Sequence, residues 1–365
     1  MADSHTSFDH IALLGVGLIG GSLGLALKRH VPALTITGFD TPEVLDLAQE
    51  RGAIDRKAAS AAACVRGADL VILATPLGPA LRLLTEIAPA LKAGAVVTDV
   101  GSVKNPITRH ASSVLPEDAL FIGGHPMTGS EKTGIAHADA VLFENAVYVL
   151  CPESTDTAEF GALSALLART GAHVRVMGAE HHDRAAARVS HIPQLLAITL
   201  VNQILDDVDA AGLAAGGFRD MTRIASSSFE MWRDILVGNE GPVLDELALV
   251  STSLQRLRNR IAEGDMEAVA ESFRTAASIR NAIPSNSKGF LNPLSDVFVY
   301  TPDEPGALLT IVKVLSDACV DVKDIELLKI REGTGGTFRL GFRNAASSAQ
   351  AVNVLSASGL HAYSL

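Results

Sequence analysis

Three glycines near the start of the chain have the spacing of a dinucleotide-binding turn. In the stretch IALLGVGLIGG, an apolar run at residues 11–14 leads directly into a G-x-G-x-x-G pattern. The first glycine of such a turn allows a sharp change of direction, the second lets a pyrophosphate approach the backbone, and the third lets the helix pack closely on the strand. Backbone N–H groups at the helix start then face the phosphates. The candidate pyrophosphate contacts are Gly15, Gly17, Leu18, Ile19 and Gly20.

A carboxylate follows at the distance that a nicotinamide cofactor needs. The segment ITGFD ends in Asp40, twenty residues beyond Gly20. A carboxylate there binds the ribose hydroxyls of NAD and repels the 2′-phosphate of NADP. The sequence therefore predicts NAD as the cofactor, with Thr75, at the end of LVILATP, as a further contact.

One histidine could act as a base beside such a cofactor. His125 lies in GGHPMTGSEKTG, where two glycines precede it and a proline follows. Imidazole can take a proton from a hydroxyl near neutral pH while hydride leaves the adjoining carbon. Ser102, in DVGSVK, could bridge substrate and imidazole, or it could simply cap a helix. A purely structural histidine is the alternative for His125.

Two further polar groups lie in the second half of the chain. HHDRAAARVSHIPQ suggests metal binding, but it lacks the H-E-x-x-H spacing and has no cysteine nearby, so we predict no metal. GFRDMTRIASSSFEMWRDI contains three arginines, whose planar guanidinium groups suit carboxylate recognition. A solvated basic face around a core tryptophan is the alternative. The arginines are Arg219, Arg223 and Arg233.

Alternating strands and helices must position these groups. Apolar strands separated by helical segments predict an α/β domain with a mostly parallel sheet, of the Rossmann type, over residues 1–177. Ligands bind beyond the carboxyl ends of such strands, where Thr75, Ser102 and His125 would converge. Residues 178–283 show only helical spacing and predict an all-helical substrate and dimerisation domain. Residues 284–295 predict a linker, and residues 296–365 a βαββαβ ferredoxin-like domain.

Composition limits the possible partners. The net charge is −11 with no basic run, which argues against nucleic acid, and the apolar runs are too short to span a membrane. Three separated cysteines and a start without a signal peptide predict a cytoplasmic protein. The apolar excess of the helical region predicts a homodimer.

Together these motifs resemble the prephenate and arogenate dehydrogenases of tyrosine biosynthesis. The resemblance runs over essentially the whole chain, through GVGLIGGSL, Asp40, DVGSVK, GGHPMTGSEKTG, LFENAVYVL, SHIPQ and FRDMTRIA…MWRDI. It implies an NAD-dependent oxidative decarboxylation with no metal. It also implies that His125 is the catalytic histidine and Ser102 its partner, and that the substrate pocket is lined by Glu131, His191 and Arg223, with Arg223 on a carboxylate.

Two positions depart from the family pattern. Gln194 stands where the family often has a second histidine, which leaves the side-chain preference of the pocket open. Ser228-Phe229 replaces an Asp-Pro, and Ser228 can still cap a helix.

The tail, with DEPGAL and VDVKDIEL, resembles an ACT domain, an amino-acid-sensing module. Tyrosine, the end product, is the expected effector, with its carboxylate on the N–H groups of Gly306, Ala307 and Leu308. Dimer stabilisation is the alternative role.

Other functions remain open at this point. The substrate is prephenate, or arogenate, or both as in a cyclohexadienyl dehydrogenase, because Glu131 could bind an ammonium or merely orient a neighbour. A non-catalytic amino-acid sensor is a second alternative, although the intact motifs argue against it. β-Hydroxyacid dehydrogenases need a lysine motif that this chain lacks.

Overall fold

The structure is a computed structural model, and it describes residues 8–129, 132–282, 294–331 and 335–364. Its contacts divide the chain into two compact units, Met1–Met266 and Glu267–Leu365. The first unit contains both the predicted Rossmann-type region and most of the predicted helical region. Most of the predicted linker lies outside the described residues, since 283–293 are not among them.

An eight-stranded sheet forms the centre of the first unit. Its order is β3-β2-β1-β4-β5-β6-β7-β8. Every pair is parallel except β6–β7, so the predicted mostly parallel sheet is confirmed. The strands are β1 (His10–Leu14), β2 (Thr35–Phe39), β3 (Arg56–Lys57), β4 (Leu70–Leu73), β5 (Val96–Asp99), β6 (Leu120–Pro126), β7 (Val147–Cys151) and β8 (His173–Val176).

Helices cover both faces of this sheet and explain why its strands are apolar throughout. In β4, Leu70 and Ile72 pack into one apolar cluster, whereas Val71 and Leu73 pack into the other. A strand buried on both faces needs no polar alternation. The helices are α1 (Leu18–His30), α2 (Pro42–Glu50), α3 (Ala61–Val65), α4 (Leu77–Ile87), α5 (Asn105–Val114) and α6 (Ala158–Arg169), with short 3-10 segments at Ala88–Ala90 and Ile135–His137.

The predicted helical region follows β8. It contains α7 (Ala179–Ala186), α8 (Ile192–Asn202), α9 (Val208–Gly212), α10 (Gly216–Thr222), α11 (Phe229–Gly238) and α12 (Glu240–Glu263), with a π-helical turn at Ala187–His191 and a 3-10 segment at Arg223–Ser226. Large apolar side chains on it remain exposed, among them Leu205, Val208, Leu213 and Phe229. Among the described helices, none combines the length and hydropathy that a membrane crossing requires.

The second unit contains a four-stranded antiparallel sheet in the order β10-β11-β9-β12. Its elements are α13 (Met266–Ala282), β9 (Ser295–Thr301), α14 (Ala307–Asp317), β10 (Asp324–Arg331), β11 (Gly335–Phe342), α15 (Ala345–Ala357) and β12 (His361–Ser364). Apolar residues of β9 and β11 form one core with residues of α14 and α15. The predicted βαββαβ arrangement is confirmed, with its first strand beginning one residue before the expected boundary.

Candidate active site

The carboxyl edge of the large sheet gathers the chemistry-bearing residues. Gly15 follows β1, Asp40 follows β2, Thr75 lies just beyond β4, and Ser102 lies just beyond β5. β6 runs further than β5, because Thr98 pairs with Ile122 and His125 lies three residues later in β6. Five segments of the chain therefore bring polar side chains, or the uncovered backbone of the glycine turn, to the carboxyl edge of the large sheet.

At two of the three glycines of the turn, close backbone contacts leave no room for a side chain. Gly15 has a φ of +91°, and a Cβ there would lie 2.5 Å from the carbonyl oxygen of Ala74. A Cβ on Gly20 would lie 2.1 Å from the carbonyl oxygen of Gly15. A Cβ on Gly17 would meet nothing within 4 Å, and no side chain caps α1. This open space before an uncapped helix start suits a pyrophosphate.

Asp40 is held by the glycine turn itself. Its Oδ2 accepts a hydrogen bond from the N–H of Val16 at 2.7 Å, and its Oδ1 accepts one from the N–H of Thr41 at 2.7 Å. Nearby, the buried hydroxyl of Thr75 has no hydrogen-bond partner among the described residues. The residues at this end of the sheet therefore fit a dinucleotide with free ribose hydroxyls.

A buried ion pair supports the other end of the site. Lys104 is fully buried, and its Nζ donates to Oδ2 of Asp99 and to the carbonyl oxygen of Gly124. Asp99 also accepts the N–H groups of Gly101 at 2.8 Å and Gly124 at 3.0 Å. This network fixes the turn after β5 against β6. A Cβ on Gly124 would lie 2.4 Å from the carbonyl oxygen of Asp99, so the network leaves no room for a side chain there.

His125 lies in β6 and is almost completely buried. Its Nδ1 is 2.8 Å from Nε2 of His182. Burial, followed by the nearby Lys104 ammonium, holds the pKa of His125 well below its usual value. His125 is therefore uncharged at neutral pH and able to accept a proton.

His182 and Asp183 join this site, although the sequence suggested them only as possible metal ligands. Both lie in α7, and Nδ1 of His182 is 2.8 Å from Oδ1 of Asp183. Among the described residues no group of three or more metal-binding side chains comes together. The available signal was a His-His-Asp run just after the last strand of the sheet, and spacing alone could not assign it to His125.

His191 belongs to the same buried network. It ends the π-helical turn, and its Nδ1 lies 3.2 Å from Nδ2 of Asn239, which also donates to the carbonyl oxygen of Asp183 at 2.8 Å. Its ring meets the edge of Trp232 with the centroids 5.8 Å apart. Burial lowers the pKa of His191 to about 4. An uncharged His191 that accepts at Nδ1 presents a donor at Nε2.

The remaining expected site residues are less constrained. Ser102 is half-buried and does not cap α5, whose N-cap residue is Lys104. Arg223 is exposed at the start of a 3-10 segment, with no ion pair to the described residues. Glu131 lies outside the described residues.

The two departures from the family pattern lie on helices of this region. Gln194 is buried on α8. Ser228 is at the N-cap position of α11, but its hydroxyl donates to the Glu230 carboxylate at 2.9 Å. The expectation that Ser228 caps the helix backbone was therefore wrong.

Comparisons with known proteins agree with this architecture. The family model for the nucleotide-binding domain of prephenate dehydrogenase matches residues 23–176, and the model for its dimerization domain matches residues 178–275. A prephenate dehydrogenase of Bacillus subtilis is 38% identical over 92% of this chain and 92% of its own length. The crystal structure of Aquifex aeolicus prephenate dehydrogenase with hydroxyphenyl propionate and NAD+ is similar with a TM-score of 0.70 and 29% identity, over 77% of this chain and 100% of that one. Synechocystis arogenate dehydrogenase gives a TM-score of 0.68 at 30% identity, over 75% of this chain and 99% of that one. The chain belongs to the prephenate dehydrogenase family.

Proposed function

We propose that the protein catalyses the NAD-dependent oxidative decarboxylation of prephenate to 4-hydroxyphenylpyruvate. The observation that carries this proposal is the position of His125, a buried, uncharged imidazole at the sheet edge that also holds the glycine turn and Asp40. An imidazole in that state suits removal of a proton from a ring hydroxyl. Family membership supplies the substrate class.

In this reaction the proton of the ring hydroxyl moves to Nε2 of His125. Bound NAD+ would accept the hydride from the carbon that carries this hydroxyl. Loss of carbon dioxide then makes the ring aromatic, which provides the driving force, and the phenolate oxygen takes the proton back from His125. The protein mainly positions the ring and keeps the proton acceptor uncharged.

The chain offers distinct groups for cofactor and substrate. Gly15, Gly17, Leu18, Ile19 and Gly20 would lie along the pyrophosphate, Asp40 would bind the ribose hydroxyls, and Thr75 would face the bound cofactor. Ser102 would hold the substrate hydroxyl near His125. His191 would donate from Nε2, and Arg223 would bind a carboxylate, with Glu131 as a further pocket residue.

Arogenate is the second candidate substrate, because a solved arogenate dehydrogenase is nearly as similar as the prephenate dehydrogenase of Aquifex aeolicus. Arogenate carries an ammonium where prephenate carries a keto group. Steady-state reduction of NAD+ with each substrate tests the proposal. We expect the higher kcat/KM with prephenate. A higher value with arogenate would reverse the assignment, and no reduction with either would refute the proposed function.

We also propose that the helical region pairs two copies of the chain and that the enzyme works in the reducing cytosol. The exposed apolar residues of α9 to α11 support pairing, as does the match to a dimerization domain. Three free cysteines, two of them buried, support a reducing compartment.

The small C-terminal sheet domain is proposed to act as an ACT domain that binds tyrosine. A cavity of about 200 Å³ lies beside the start of α14, lined by Asp303, Glu304, Gly306, Ala307, Leu308 and Phe338, among other residues. The N–H of Ala307 donates to the carbonyl oxygen of Glu304, so it is not available as expected. Those of Gly306 and Leu308 have no acceptor among the described residues. They would take the carboxylate of an amino acid, while the acidic rim suits its ammonium.

A further inference from the structure

A second buried histidine lies directly behind His125. Nε2 of His182 is 2.8 Å from Nδ1 of His125, and the two rings meet edge to face with their centroids 5.0 Å apart. His182 is 2% exposed and His125 is 9% exposed, so water cannot easily replace this contact. The two imidazoles therefore determine each other's protonation.

The far side of His182 settles where its proton lies. Oδ1 of Asp183 is 2.8 Å from Nδ1 of His182. The same carboxylate accepts the N–H groups of Lys104 and Asn105, each at 2.7 Å. An ionised carboxylate can only accept, so the shared proton belongs to Nδ1 of His182. In an uncharged His182 the other nitrogen, Nε2, then carries a lone pair.

With His182 uncharged, only one arrangement of protons on His125 is consistent with this contact. The lone pair on Nε2 of His182 requires a proton on Nδ1 of His125. The remaining nitrogen of His125, Nε2, then has its own lone pair, and no described residue hydrogen-bonds to it. A base needs this tautomer to receive a proton at Nε2.

We propose that His182, held by Asp183, is a positioning residue that fixes His125 in the Nδ1–H tautomer. The source of the incoming proton, the ring hydroxyl of the substrate, rests on the proposed function, whereas the tautomer of His125 does not. When Nε2 takes that proton, His125 keeps its Nδ1–H bond to His182, and the Asp183 carboxylate stabilises the positive charge through the intervening ring.

Three variants separate positioning from general structural support. His182→Ala removes the acceptor. His182→Gln restores it, since a side-chain amide can accept from His125 through its oxygen and donate to Asp183 through its nitrogen. His181→Ala is the matched control, because His181 is the preceding residue on the same helix but is exposed.

Steady-state kinetics of the full chain with prephenate and NAD+ gives the first readout. We expect His182→Ala to lower kcat by roughly 10- to 100-fold, with KM changed by less than about threefold. His182→Gln should recover much of that loss, and His181→Ala should match the wild type. Wild-type kcat in His182→Ala would overturn the proposal, as would a His182→Gln enzyme no better than His182→Ala.

The second readout does not depend on activity. In protein labelled with ¹⁵N-histidine, the ring nitrogens of His125, assigned by their absence from His125→Asn, should report a protonated Nδ1 and an unprotonated Nε2. His182→Ala should lose that pattern, and His181→Ala should keep it. A protonated Nε2 on His125 in the wild type would overturn the proposal. Absence of prephenate-dependent NAD+ reduction by the wild type would refute the proposed function, whereas the tautomer would still be decided by this spectrum.

Discussion

The carboxylate of Asp40 and the backbone N–H of Val16 are joined by a hydrogen bond of 2.7 Å. The residue expected to bind the ribose is therefore fixed by the same turn that is expected to hold the pyrophosphate. Because the carboxylate cannot swing away without losing this bond, its charge stays where a 2′-phosphate would enter.

Asp40→Ser should narrow the preference for NAD+ over NADP+. The wild type should prefer NAD+, because the carboxylate binds ribose hydroxyls and repels a phosphate. Loss of hydrogen bonds to a charged group, about 1.5–3 kcal/mol, should raise the KM for NAD+ by roughly 10- to 100-fold. Kinetics with both cofactors measures this. Asp46→Ser, which removes an exposed carboxylate on α2, is the control. Equal use of both cofactors by the wild type would contradict the role of Asp40.

His125→Asn should lower kcat by ~10²–10⁴-fold, the usual contribution of a general base. Since burial lowers the pKa of His125, the base stays uncharged below pH 6.5 and is lost only when the pH falls through that lowered pKa. We therefore expect kcat/KM of the wild type to persist below pH 6.5. A near-normal kcat in His125→Asn would exclude the mechanism.

Arg223→Ala should mainly raise the KM for prephenate. Its guanidinium is exposed and unpaired among the described residues, so it can receive a substrate carboxylate without first breaking an ion pair. When bound substrate shields the pair of the Arg223 guanidinium and a substrate carboxylate from water, removing the guanidinium costs about 2–5 kcal/mol of binding free energy. Arg219→Ala, an exposed arginine on α10, gives the comparison. A larger rise in KM for Arg219→Ala would move the carboxylate site to that residue.

Lys104→Met should destabilise the fold, because it leaves the buried Asp99 carboxylate without its cation. Removing one partner of a buried ion pair typically lowers the free energy of unfolding by about 3–5 kcal/mol. The double variant Asp99→Asn with Lys104→Met should recover part of that loss, since it removes the unpaired charge. Urea unfolding of the wild type and the two variants measures both effects. A single variant as stable as the wild type would show that the ion pair contributes little.

Tyrosine should inhibit the full chain but not a chain truncated after Asn292. Binding in the C-terminal cavity would couple to activity by roughly 1–3 kcal/mol. Kinetics and calorimetric titration of both proteins test this. Equal inhibition of both would place tyrosine in the active site, and no binding to either would leave the tail with a structural role.

The sequence predicted the parts of the site that depend on local chemistry. Gly20 is required by the carbonyl oxygen of Gly15 in the same turn, and Gly15 by its own left-handed φ, so both requirements leave a spacing that can be recognised. His182 and Asp183 could not be placed in the same way. His182 contacts His125 across 57 positions of the sequence, and Asp183 contacts His182 and the backbone at the start of α5. No period in the sequence encodes these contacts. Arg223 shows the opposite limit, because a residue proposed to bind the substrate is exposed and has no ion pair among the described residues that would support its role.

Asp183 also has a consequence for motion. It accepts the N–H groups of Lys104 and Asn105, where α5 begins without a capping side chain of its own. Asp234 of α11 makes a longer contact of the same kind, 3.4 Å, with the N–H of Gly78 in the first turn of α4. Two helices of the nucleotide-binding half are thus capped from the helical half. A hinge that swung the two halves apart would uncap both, at a cost of about 0.5–2 kcal/mol each. The two caps therefore favour the closed arrangement of the nucleotide-binding and helical halves.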